Sequence, residues 1–453
     1  MKSSMPKVLH PLGGKALVGH VIDTAQQLHA RRTVVITGHQ AEQVEAALQQ
    51  SYPQANLHFA RQMPQLGTGH AVQQAVPHLP DDGIVVVLSG DVPLTQVQTL
   101  QALIQACAGQ NLALLTIEFD DPTGYGRIVR EGGHADGRVH AIVEHKDAND
   151  AQRAIREVYS GIMAVPASKL KSWLAKLDNH NAQQEYYLTD IVKSAMAEGV
   201  HVVAHKITDP VQVAGVNSPL QLAELERAYQ RRRAEALMTQ GVRLIDPARF
   251  DVRGELVCGQ DVQIDVNCVF EGQVELGDGV QIGAHCVIAN CRIANHVVIH
   301  PFTHIDGDEL GVQVGEGSLI GPFARLRPGA QLAQEVHVGN FVEIKNTSMA
   351  RGAKANHLAY LGDATVGERV NFGAGSITAN YDGANKHRTV IERDVHVGSN
   401  CVLVAPVTLG EGGTIGGGST ITKDTPPGAL SVARGKQLSV ANWQRPQKKT
   451  KSS

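Results

Sequence analysis

The stretch VGEGSLIGPFARLRPGAQLAQEVHVGNFVEI, residues 314–344, places an aliphatic residue at every sixth position: Val314, Ile320, Leu326, Leu332, Val338 and Ile344. Three further runs keep the same step: Ile264, Phe270, Leu276, Ile282 and Ile288; Ile293, Ile299 and Ile305; and Ile391, Val397, Leu403, Leu409, Ile415 and Ile421. At an apolar frequency of about 45%, six consecutive hits from a given start arise by chance on the order of 1% of the time. A period of six fits neither a helix nor the alternation of a half-buried strand. It requires a short strand plus a corner, repeated at fixed length. Each unit then sends one aliphatic side chain into a shared interior, and stacking of the coils buries it. The C-terminal half is therefore expected to be a solenoid of short strands. Its faces are flat, so a small-molecule site is expected where subunits meet.

Upstream the pattern changes. Leu17, Val18, Val21, Ile22, Ala25 and Leu28 line one side of a helix, Val34-Val35-Ile36 reads as a strand, residues 41–49 as a helix, and Ile84-Val85-Val86-Val87-Leu88 as a fully buried strand. Alternating elements with β-branched runs predict a mostly parallel sheet covered on both faces, with ligands beyond the carboxyl ends of its strands. Asp91 follows the buried strand directly. Ser218, Pro219 and Gln221 read as cap, first helical residue and capping-box partner of a connecting helix that Gly241 closes. Glu224, Glu226, Arg227, Arg231, Arg232 and Arg233 make that helix a solvated strut. The expected division is 1–219, a linker helix 220–240, and 241–453.

A chain of 453 residues with 42% hydrophobic and 19% charged content belongs to the soluble globular class, and its net charge of −3 gives no reason to expect nucleic acid. No stretch approaches the roughly 20 apolar residues of a membrane span, and the first residues form no signal-peptide core. A cytoplasmic location is expected. Cys107, Cys258, Cys268, Cys286, Cys291 and Cys401 form no C-x-x-C pair, which indicates neither a disulfide framework nor a thiolate zinc site. The basic tail at Lys448, Lys449 and Lys451 reads as a solvated terminus. His285, His296, His300 and His304 cluster in sequence, but no supporting carboxylate accompanies them, so a zinc site is not expected there.

The six-residue repeats resemble those of the hexapeptide acyltransferases, which implies a left-handed parallel β-helix and a trimer. In the first half, Pro6-Lys7-Val8-Leu9, QLGTGHA (65–71), SGDVPL (89–94), DPTGYGRI (121–128), IVEHK (142–146) and Gly215-Val216-Asn217 stand in an order similar to that of the sugar-nucleotide uridylyltransferases. Over its whole length the chain resembles the bifunctional bacterial enzymes that form UDP-N-acetylglucosamine. The resemblance implies a Rossmann-like nucleotidyltransferase domain, α/β, ahead of the all-β solenoid. It implies that Lys7, Gln62, Gly67, Thr68, Ser89, Gly90, Gly126 and Glu144 contact the UDP-sugar, and that Asp91 and Asn217 hold Mg2+.

Two departures carry consequences. The family opens with a strand and a Gly-rich L-x-x-G-x-G-T-R-M loop, and this chain begins at what corresponds to the last Met of that loop. The expectation is a domain lacking its first strand and phosphate cradle, with weak UTP binding, most simply through a misassigned start codon. Tyr159 in Tyr159-Ser160-Gly161 replaces the family's usual Asn and is expected to offer the sugar a hydroxyl instead.

In the second half, residues 354–363 interrupt the aliphatic rhythm and are expected to leave regular coil packing. The resemblance makes His357 in this segment the general base, and acetyl transfer needs one, since a sugar ammonium must lose a proton before attacking the thioester of acetyl-CoA. It implies that Arg327 and Lys345 bind the sugar phosphate, that Tyr360 and Asn371 complete the sugar pocket, and that Ala374, Asn380, Tyr381, Ser399, Gly417 and Arg434 contact acetyl-CoA. Residues 380–386, NYDGANK, are expected to form a loop extruded toward a neighbouring subunit. Glycines 416–418 read equally well as corner residues. Two other functions fit the same sequence: an acetyltransferase with an inactive front domain, and a non-catalytic regulatory solenoid.

Overall fold

Residues six apart lie on successive faces of a three-sided parallel β-solenoid, and residues 17 or 18 apart stack vertically, or 21 apart where residues 307–311 are inserted. The computed structural model, which describes residues 3–134 and 137–446, pairs Ile299, Ile320, Val338, Ala355 and Phe372 on one face. Ile288, Ile305, Leu326, Ile344 and Leu361 stack on the second face. The third carries Ile293, Val314, Leu332, Met349 and Val366. Every strand pair in the stack is parallel, and the inward residues form one continuous core in which Ile299, Ile320, Leu326 and Ile344 have no exposed surface. Coils of this kind contact only their neighbours, so each aliphatic layer stabilises the next.

The segment 354–363 does not leave this packing. Met349, Ala355 and Leu361 continue the six-residue step after a corner shortened by one residue, and Ala355 and Leu361 are fully buried. An alanine in a core position hides the period from a reading that counts only large aliphatics. The larger interruption is the loop after Ala379: 25 residues separate Phe372 from its stacking partner Val397, and residues 381–386 are exposed. Corner residues take left-handed φ angles. Along one edge His285, Phe302, Phe323, Phe341 and Leu358 do so with φ between 50° and 61°, and the rings of the first four stack at 4.9, 5.0 and 5.3 Å.

The chain divides into two units, Met1–Arg232 and Arg233–Ser453. In the first, a six-stranded sheet is built around the long strand Glu157–Pro166, and it is mostly antiparallel. Its parallel pair is Val202–Ile207 with Leu112–Glu118. Strands Thr33–Thr37 and Leu57–Arg61 pair in parallel with each other alone. This corrects the expectation of one mostly parallel sheet, since the β-branched runs that suggest parallel strands also suit a central antiparallel strand such as 157–166. Ile84–Val87 is half-buried rather than fully buried. Helices Leu17–Gln27, Ala41–Ser51, Thr68–Ala75 and Val97–Cys107 supply most of the remaining apolar faces.

Helix Pro219–Thr239 contains the division between the units and is not a solvated strut. Its first half adds Leu225 to a core with Leu12, Leu17 and Val216, and its second half adds Ala234 and Leu237 to the solenoid core. Arg232, read as part of a solvated basic run, bonds Asp209 at 2.6 Å and the Leu94 carbonyl. All six cysteines are free thiols and five are buried; burial pushes Cys291 up to about 12. Among the described residues no helix is long and apolar enough to cross a membrane. The basic tail from Lys448 lies outside the described residues.

Ile320→Ala removes a fully buried side chain between Ile299 and Val338. We expect a loss of about 2–5 kcal/mol, read as a lower urea midpoint for the solenoid transition.

Candidate functional sites

In the first unit three groups converge behind the strand Ile84–Val87. The Lys7 ammonium donates to Asp91 Oδ2 at 2.6 Å and to Asn217 Oδ1 at 3.0 Å. The backbone holds these oxygens in place: Val216 N–H donates to the Asp91 carbonyl, and Asn217 N–H to Gln221 Oε1. Two oxygens from segments 126 residues apart in the chain, aimed at one cation, form a donor set suited to a hard metal ion. Ser89 and Gly90 precede Asp91 immediately, and Val8 packs 3.6 Å from where a Gly90 side chain would begin.

Gln62 is buried, and its amide donates to the Gly67 carbonyl at 2.9 Å. Gly67 has φ +107°, and a Cβ there would lie 2.7 Å from the Tyr186 carbonyl oxygen, so no side chain fits. Thr68 begins helix Thr68–Ala75, and its hydroxyl accepts from Leu188 N–H. One residue further, the Thr189 hydroxyl donates to Glu144 Oε1 at 3.0 Å. The segment Tyr186–Thr189 thus ties the Gly67 turn to Glu144. No spacing in the sequence marks this link. Gly126 lies against Glu144, and its carbonyl accepts from Tyr159 N–H.

Burial raises the Glu144 pKa; the Thr189 hydrogen bond opposes this, and Asp147 and Asp190 add to it. Tyr159 departs from its expected role. Its ring packs among Ile128, Ile142 and Met163, and its hydroxyl is enclosed without a hydrogen-bond partner. A phenol longer than the asparagine it replaces carries its oxygen into the core, where burial and then Glu144 raise its pKa well above the ordinary value.

In the solenoid, Arg327 and Lys345 occupy the same position on successive coils of the second face. Arg327 donates to Glu343 at 2.8 Å. Lys386, from the extruded loop, lies against Lys345 and lowers its pKa; burial and Arg327 push the same way against the pull of Asp363. Crowded cations repel, and an anion placed among them would relieve that repulsion. Lys386 and Glu343 were not singled out from the sequence. Asp363 organises the loop's root: one carboxylate oxygen accepts from Asn346 and the other from Asn380. Asn380 is consequently buried and engaged within its own chain, whereas Tyr381 is exposed. Tyr360 reaches over Gly362, where a Cβ would meet its hydroxyl at 2.3 Å.

His357 stands at the corner before this face. Backbone register places Asn340, His357, Ala374, Ser399 and Gly417 in one vertical column, each immediately before a corner residue. Gly418, with φ +72°, is the corner itself, which separates its role from that of Gly417. Arg434 donates to the Gly417 carbonyl at 2.7 Å, joining the upper end of the column. Asn371 lies one strand away and bonds His396 at 3.0 Å. The cations stand at the far end of the second face from His357: five residues run from His357 to Gly362, the register partner of Lys345, a span of at most about 17 Å.

A lysine, a carboxylate and an amide meeting after a strand, followed by a solenoid edge bearing a histidine and clustered cations, form an arrangement suited to a transferase of two parts. A model of the MobA-like NTP transferase domain matches residues 1–242, and one of the bacterial transferase hexapeptide (six repeats) matches 256–290 and 388–423. The "Bifunctional protein GlmU" of Polaromonas sp. (strain JS666 / ATCC BAA-500) is 72% identical, covering 100% of this chain and 96% of that protein. The protein of the same name from Azoarcus sp. (strain BH72) is 58% identical over 99% of this chain and 97% of its own length. A solved UDP-glucose pyrophosphorylase complexed with UDP-glucose aligns with a TM-score of 0.41 at 16% identity, over 51% of this chain and 92% of that one, too distant for inference. The chain belongs to the bifunctional GlmU family, the two-domain transferases of UDP-N-acetylglucosamine synthesis.

The raised Glu144 pKa has a sign. A carboxyl that holds its proton more tightly when folded loses stability as pH rises from its unfolded pKa of about 4.3 through the folded value. Glu144→Gln should therefore gain stability relative to the parent as melts move from pH 4 to pH 8. A deficit that widened with pH would show that the carboxylate is stabilising.

Proposed function

We propose that the solenoid acetylates glucosamine 1-phosphate with acetyl-CoA and that the first unit then joins the product to UTP, releasing pyrophosphate. The observation that carries the first step is the column that aligns His357 with the positions assigned to acetyl-CoA, with a cluster of three cations at the far end of the adjoining face. His357 takes a proton from the sugar ammonium, the freed nitrogen attacks the thioester carbonyl, the C–N bond forms, and the C–S bond breaks as the CoA thiolate leaves and collects the second proton that the nitrogen gives up in becoming an amide. Arg327 as a fork, with Lys345 and Lys386 as point charges, hold the phosphate. Tyr360 and Asn371 bound the sugar. Ala374, Tyr381, Ser399, Gly417 and Arg434 line the path of the cofactor.

In the second step a phosphate oxygen of N-acetylglucosamine 1-phosphate attacks the α-phosphorus of UTP and pyrophosphate departs. Such transfers need alignment and neutralisation more than covalent help. Asp91 and Asn217 would hold Mg2+, which supplies charge neutralisation at the phosphates. Lys7 then turns its ammonium to the phosphates. Gln62, the Gly67–Thr68 turn, Ser89, Gly90, Gly126 and Glu144 bound the nucleotide and sugar.

The site is completed by neighbouring copies in a homotrimer. The ladder Phe302, Phe323 and Phe341, exposed by 50%, 47% and 55%, is continuous with the column and is the surface a neighbour would cover. We place the enzyme in the cytoplasm, with small-molecule substrates as its partners.

His357→Ala should abolish acetyl transfer and leave uridylyl transfer nearly unchanged. Equal loss of both would contradict the division of labour. Phe323→Glu should move the sedimentation coefficient toward that of the monomer and lower acetyl transfer; an active monomer would remove the assembled site.

A further inference from the structure

His357 leaves the solenoid edge without a carboxylate partner, yet its ring is not free. Its Nδ1 lies 2.8 Å from Oδ1 of Asn340, its register partner one coil below. Both residues directly precede left-handed corners, Phe341 at φ 56° and Leu358 at φ 50°. The backbone therefore turns both side chains out of the same edge. Among the described residues no other side chain bonds this ring.

We propose that Asn340 is the positioning residue of the acetyl-transfer base, a reading that rests on His357 being that base. An amide oxygen accepts but never donates, so it holds the proton on Nδ1 and leaves the lone pair on Nε2 facing the sugar nitrogen. An amide orients the ring without adding charge. A carboxylate in the same place would stabilise the imidazolium and raise the pKa of the base, keeping it protonated at higher pH. Few other charges act on this strand: Lys354 lies on it, His337 on the strand below, and Asn371–Phe372 above carries none.

The test compares Asn340→Ala and Asn340→Asp with the parent, with His357→Ala as control, in the full-length chain. Asn340→Ala should lower kcat for acetyl transfer by at least about 10-fold while KM for both substrates stays within about 2-fold. Nitrogen chemical shifts of its imidazole should move from the Nδ1–H form toward a mixture of tautomers. Asn340→Asp, which preserves size, should recover kcat at high pH and move the acid limb of the kcat–pH profile up by about one pH unit. Uridylyl transfer and solenoid melting should be unchanged in both, which reports folding. Full activity of Asn340→Ala beside an inactive His357→Ala overturns this proposal alone. An active His357→Ala overturns the assignment of the base. An unmoved acid limb in Asn340→Asp also overturns the proposal, since a merely structural asparagine predicts that result.

Discussion

Vertical backbone register between coils is the constraint on which the rest of the solenoid depends. Each short strand finds its hydrogen-bond partners only in the coils above and below, so a residue's neighbours are set by how many residues a coil contains. Coils of 17 or 18 residues, and one of 21, keep Ile299, Ile320, Val338, Ala355 and Phe372 in one column. The same arithmetic brings Asn340 against His357 and Arg327 against Lys345. Catalytic alignment here is a by-product of core packing. A deletion tolerated at a corner, such as the one before Met349, keeps the inward residues in step because the next corner resets the count.

The extruded loop shows how the fold admits irregularity without losing register. Its root is held by Asp363, whose two carboxylate oxygens accept from Asn346 below and Asn380 above. Inside the loop the Asp382 carboxylate accepts from two backbone N–H groups and from His387, which together hold its pKa far below the ordinary carboxylate range. A loop so braced can carry Lys386 to Lys345, despite the repulsion between them. In the first unit the same logic is looser: its site is joined by side chains across segments distant in sequence, Lys7 to Asp91 and Asn217, and Thr189 to Glu144.

Much of this was legible in the residues. The six-residue period marks the solenoid because burial of one aliphatic per strand leaves a periodic trace, and the loop after Ala379 is visible as a break in it. Residues 354–363 were misread because alanine satisfies an inward position without looking aliphatic. The sheet of the first unit was misread in direction, since a buried strand has the same composition whether its neighbours run with it or against it. Lys386 and Asn340 gave no signal, because they meet Lys345 and His357 across coils rather than among their own neighbours in the chain.

The amino-acid order alone determined that the second half stacks short strands, that the first half alternates helices and strands, and which motifs carry chemistry. Periodicity and local motifs are properties of neighbouring residues, so they are written in the chain. Only the tertiary structure decided that Tyr159 turns its hydroxyl into the core, that helix Pro219–Thr239 gives side chains to two separate cores, and that Asn340 faces His357. Those outcomes depend on which surfaces meet across long loops, and no local pattern encodes that meeting.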